Sequence, residues 1–101
     1  MRRMVERHQV EGQDERRRVF NRLVDIVRIE KGYTAFFHYE GLNFETSSFR
    51  TIDETIRELV SRMHKSGFSN IRTRLNFKGQ RYLAEREPWV TFSDNGEPAA
   101  G

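Results

Sequence analysis

Apolar residues recur along this chain with two different periods, and the switches between them predict its elements. From Asp14 to Lys31, Val19, Phe20, Leu23, Ile26 and Val27 return at helical spacing and form one broad apolar stripe. Asp14 stands where an N-cap is wanted, and Gly32 follows the last turn. The spacing therefore predicts a helix over 14–31.

The stretch after Gly32 changes to period two. With Glu40-Gly41 as a tight turn, Tyr39 opposes Leu42, Phe37 opposes Phe44 and Ala35 opposes Thr46, all on one face. Thr34, Phe36, His38, Asn43, Glu45 and Ser47 then share the other face, and a slip of one residue would scramble this division. A hairpin is the reading.

Helical spacing returns with Ile52, Ile56, Leu59, Val60 and Met63. Thr51 and Glu54 have the separation of a capping box, and Lys65-Ser66-Gly67 supplies a cation and then a glycine at the far end. Burying those five side chains stabilises the fold by roughly 1.5–3 kcal/mol each before entropy is charged against them.

Alternation resumes from Ser69. Ile71, Thr73, Leu75 and Phe77 point one way, while Arg72, Arg74 and Asn76 point the other. A Lys78-Gly79 turn sets Leu75 opposite Tyr82 and Arg72 opposite Glu85. Pro88 interrupts the ladder, leaving Trp89 and Phe92 to close the edge of the core.

Together these elements run αββαββ. The fold they predict is an α+β two-layer sandwich, an antiparallel sheet of about four strands with two helices on one face. Residues 1–13 read as a flexible lead-in, 14–92 as a single α+β domain and 93–101 as a disordered tail.

At 101 residues the chain has the size of one domain. It holds no cysteine, which removes disulfides, thiolate nucleophiles and thiolate metal sites. No apolar run approaches a membrane span, and MRRMVERHQ lacks the apolar centre of a secretory signal, so a soluble cytoplasmic protein is expected. No G-x-S-x-G, Walker or dinucleotide motif is present, and no histidine has a second at metal-ligand spacing. The sequence thus points to no enzyme, no cofactor and no metal. His38 and Glu40, on one strand face, read as a polar outer surface beside a turn.

Charge changes the picture in one place. The whole chain carries a formal +3, but residues 69–86 hold Arg72, Arg74, Lys78, Arg81 and Arg86 against the single acid Glu85. Both predicted helices cover one face, so the arginines fall on the other. Arginines beside rings on an open sheet suit single-stranded nucleic acid, with phosphates meeting guanidinium groups and bases stacking. In that expectation Arg72, Arg74 and Arg81 meet phosphates, Lys78 sits at the hairpin tip, and Phe36 or His38 stacks. The RTRLNF strand lacks the glycine–aromatic signature of the common four-stranded RNA-binding sheet. The alternative is a protein–protein module, a homodimer or an accessory subunit, touching its partner through Phe36, Leu83 and Trp89. The same arginines would also serve as an ordinary solvated face paired to Glu85 and Glu45.

Overall fold

The computed structural model describes residues 3–78, 81–82 and 87–92, with Arg81 and Tyr82 described by their backbone alone. Its elements are β1 (Arg3–Gln13), β2 (Val19–Ile29), β3 (Gly32–Tyr39), β4 (Leu42–Glu45), α1 (Ile52–Lys65), β5 (Ser69–Lys78), β6 (Arg81–Tyr82) and β7 (Val90–Thr91). All strands join one antiparallel sheet in the order β4-β3-β2-β1-β5-β6, with β7 also pairing to β5. The chain is α+β, but the αββαββ sandwich of four strands and two helices is overturned. Among the described residues there is one helix, and six strands lie along the path of the sheet.

The error lies in the first thirty residues. The predicted helix over 14–31 is strand β2, and the predicted lead-in is strand β1 in the middle of the sheet. Residues 19–29 satisfy both periods at once, and their β-branched Val19, Val24, Ile26, Val27 and Ile29 tip the balance toward a strand. Phe20, Val24 and Ile26 are buried at 5%, 2% and 0% exposure, whereas Val19 and Leu23 are 81% and 48% exposed. The helical stripe thus included the two most exposed residues and missed a core valine. Strand β1 has few bulky side chains, with His8 and Val10 turned to the core; it is held by backbone pairing to β2 on one side and β5 on the other.

Asp14 does cap, but it caps a turn. Its Oδ1 accepts from the backbone N–H groups of Arg16 and Arg18, both at 2.9 Å, closing the loop between β1 and β2 in which Arg17 has φ 63. Its Oδ2 accepts from Arg18 Nε at 2.9 Å and from the Tyr39 hydroxyl at 2.7 Å. Burial alone would raise this carboxyl, but the bonds from Tyr39, Arg18 and Arg16 win and hold it at about 2, below its ordinary 3.8. Burial and the bond to Asp14 together raise the Tyr39 hydroxyl. Arg18 also donates to Glu40 Oε2 at 2.5 Å, so the β1–β2 tip is tied to the β3–β4 turn.

The β3–β4 hairpin and α1 form as read, while in β5 an irregularity opposite Arg7 and His8 turns Phe77 to the face of Arg7, away from Ile71, Thr73 and Leu75. Tyr39 pairs with Leu42 and Phe37 with Phe44 around a turn in which Glu40 and Gly41 have φ 44 and 88, the signs that turn demands. Thr51 caps α1, accepting from Glu54 N–H at 3.1 Å. Ile56, Leu59, Val60 and Met63 are buried, and α1 packs against β3, β4 and β5. Gly32 has no substitute: a Cβ there would sit 2.2 Å from the Phe49 carbonyl oxygen, which pairs with Tyr33 N–H at 2.8 Å. In the last hairpin Phe77, not Leu75, faces Tyr82, so the partner of Tyr82 lies two residues further along β5 than expected. Glu85, Leu83, the Gly79 turn and the tail 93–101 lie outside the described residues. Among the described residues no helix is long and apolar enough to cross a membrane.

Two measurements check this account. Val24→Ala should cost about 1–3 kcal/mol in urea unfolding, while Val19→Ala should stay within about 0.5 kcal/mol of the parent; equal costs would restore the helix. Because Asp14 is depressed in the folded state, its contribution to stability is whole above its ordinary value and is lost as pH falls from about 4 through about 2. Asp14→Asn should therefore flatten the dependence of stability on pH across that window, and an unchanged acid profile would refute the assignment.

Candidate functional site on the open sheet face

With α1 covering one face, side chains of opposite parity form the other. The registers align them in rows. Phe77, Arg7, Asp25, Phe36 and Glu45 stand abreast across five strands. Arg74, Gln9 and Leu23 form the next row, and Thr91, Arg72, Glu11 and Asn21 the one after. Arg72 and Arg74 are thus on the open face as expected, neither buried under the helix nor scattered.

Their surroundings differ from the expectation. Arg74 Nε donates to Gln9 Oε1 at 2.8 Å, Gln9 Nε2 to Asn21 Oδ1 at 2.9 Å, and Asn21 Nδ2 to Glu11 Oε2 at 2.9 Å. Arg72 closes this chain on Glu11. Arg7 donates to Asp25 through Nε at 2.6 Å and Nη2 at 3.4 Å. The face therefore carries Arg7, Arg72 and Arg74 against Glu11, Asp25 and Glu45, and is close to electrically balanced. Such half-exposed pairs are worth about 0–1 kcal/mol each, so they set the character of the surface more than its stability.

The apolar part of the face is aromatic. The indole of Trp89 lies against both arginines, with Arg72 Cζ at 4.3 Å and Arg74 Cζ at 4.2 Å from the ring centroid. Phe36 is half-buried and Leu23 half-exposed on the neighbouring strands. Between them a shallow groove of about 450 Å³ is lined by Leu23, Asp25, Phe36, His38, Asn43 and Glu45. His38 is exposed, its Nδ1 at 2.6 Å from Asn43 Oδ1.

Of the residues read from the sequence, Arg72, Arg74, Phe36, His38 and Trp89 share this face. Lys78 is exposed at the end of β5. The side chain of Arg81 and all of Leu83 lie outside the described residues. Sequence reasoning missed Gln9, Glu11, Asn21 and Asp25, the partners of the arginines. Their alternation is visible in the chain, but it falls in the two segments that the patterning assigns to a lead-in and a helix. Among the described residues no three His, Asp or Glu side chains converge as metal ligands. No family model, curated protein or solved structure matches the chain.

Trp89 is the only tryptophan, so its fluorescence reports this contact directly. Replacing both Arg72 and Arg74 by alanine should red-shift the emission and increase acrylamide quenching, at a stability cost of about 1–2 kcal/mol. An unshifted spectrum would mean the indole does not rest on them.

Proposed function

We propose that this protein is a binding module whose open sheet face docks on the same face of a second copy. The charge pattern is the observation that carries this reading. Cations lie toward the β5 side, at Arg72 and Arg74, anions toward the β2 and β4 side, at Asp25 and Glu45, and β1 between them carries one of each, Arg7 and Glu11. A two-fold axis parallel to the strands lays the β5 arginines of one copy over β4 of the other, so the face complements itself. Leu23, Phe36 and Trp89 supply the apolar centre, and aligned sheet-on-sheet packing accommodates their side chains. A polyanion gains less here, because Glu11, Asp25 and Glu45 stand among the same cations and oppose phosphate approach.

Light scattering after size exclusion, across a range of protein concentrations, tests the reading. A dimer should form and dissociate on dilution, weakened about tenfold or more by Leu23→Glu. Arg74→Glu should weaken it too, and adding Glu45→Arg should restore it. A monomer at every concentration would overturn the proposal. Salt-sensitive binding of labelled single-stranded RNA by that monomer would move the reading to nucleic acid.

A further inference from the structure

On the opposite side of the sheet, between α1, β5 and the segment 87–92, lies a cavity of about 480 Å³. Its walls are apolar, with Ile56 from the helix, Leu75 from β5, and Pro88, Val90 and Phe92 from the outer segment. A space of this size, mostly apolar with a few polar groups converging on it, has the form of a small-molecule site.

Two polar side chains break the apolar wall. Thr73 and His8 both line the cavity and are only 5% and 8% exposed. His8 Nε2 lies 2.8 Å from Glu6 Oε1, and the Glu6 side chain is itself only 14% exposed. A carboxylate accepts, so this contact takes the proton on Nε2, and in the singly protonated ring Nδ1 is then the acceptor. Among the described residues Nδ1 takes no hydrogen bond. Asp53, Arg57, Arg74 and Glu87 ring the cavity with balanced charge, which disfavours a polyanion.

We infer that this cavity binds a small aromatic molecule carrying one hydroxyl, with the ring held by Ile56, Leu75, Val90 and Phe92 and the hydroxyl donating to His8 Nδ1. Glu6 acts as a positioning residue that fixes the tautomer of His8. The site shares Arg74 with the open face, and its other lining residues come from α1, β1, β5 and the segment 87–92.

The probes are 2-naphthol and 2-methoxynaphthalene, which share a ring system but differ in the donor, titrated into the full chain and followed by two-dimensional amide NMR. 2-Naphthol should shift the amides of His8, Ile56, Thr73, Leu75, Val90 and Phe92, and bind about tenfold more tightly than the ether, as one neutral hydrogen bond allows. His8→Phe should erase that preference while the ether still binds. Leu75→Trp, which fills the cavity from its apolar wall, should abolish binding of both. Shifts that are absent or spread evenly over the chain would overturn the inference, as would equal affinities in the parent or undiminished binding to Leu75→Trp.

Discussion

Among the described residues a single fourteen-residue helix covers one side of the sheet, and that demand organises the fold. At about 1.5 Å per residue such a helix is roughly 21 Å long. Six strands at about 4.8 Å spacing span roughly 24 Å. The helix contacts β3 and β4 on one flank and β5 on the other, with the middle filled by Phe20, Val24, Ile26 and Val10. It achieves this because it is also the crossover: the chain leaves edge strand β4, passes over the apolar side and returns as β5 beside β1. Bulges in β1 near Val5, and in its pairing with β5 near His8 and Gly12, bend the sheet to meet it. Among the described residues no second helix packs on the other side, and the polar ladder lies there.

The same curvature parts β2 from β3. Their pairing runs only from Asp25–Phe36 to Ile29–Gly32, although both strands continue beyond Asp25 and Phe36. The gap is bridged by side chains: Phe20 contacts Phe37, Tyr39 and Phe68, with ring centroids 6.1, 5.3 and 5.4 Å away. Asp14 closes its outer end by accepting the Tyr39 hydroxyl, and the Arg18–Glu40 pair lies across the top. A buried carboxylate with four donors is well compensated. Here it replaces the backbone ladder that the diverging strands cannot make.

How much of this was legible in the chain follows from how local each signal is. The β3–β4 hairpin and α1 were readable because turn, cap and apolar period agree within short windows around Gly41 and Thr51. The arginine strand was readable for the same reason, down to the face on which Arg72 and Arg74 lie. In β2 the windows conflict, since Phe20, Leu23, Ile26 and Val27 make a helical stripe while Phe20, Val24 and Ile26 make a strand. Pairing with β1 and β3 settled the matter, and no local pattern reports on that. Strand β1 has a weak apolar signal, since Val10 is its one fully buried apolar side chain and the buried position two residues before it is His8. The partners of the arginines were invisible for a related reason: Glu11 lies 61 residues from Arg72, and Gln9 lies 65 from Arg74.

That long-range pairing also changes what the arginines can do. A guanidinium on a bare basic face is free to meet a phosphate. One that already donates to Gln9 or Glu11 while resting on an indole has its position and orientation set beforehand. Recruiting it to a flexible polyanion means breaking those bonds or stretching them, with nearby carboxylates opposing the approach. Presenting it to a second rigid sheet requires neither, because a partner side chain can reach the remaining donors of the fork while the existing bonds stay in place. Preorganisation of this kind lowers the entropy lost on docking two preformed surfaces, which is why we propose a folded surface rather than a strand of nucleic acid as the partner of this face.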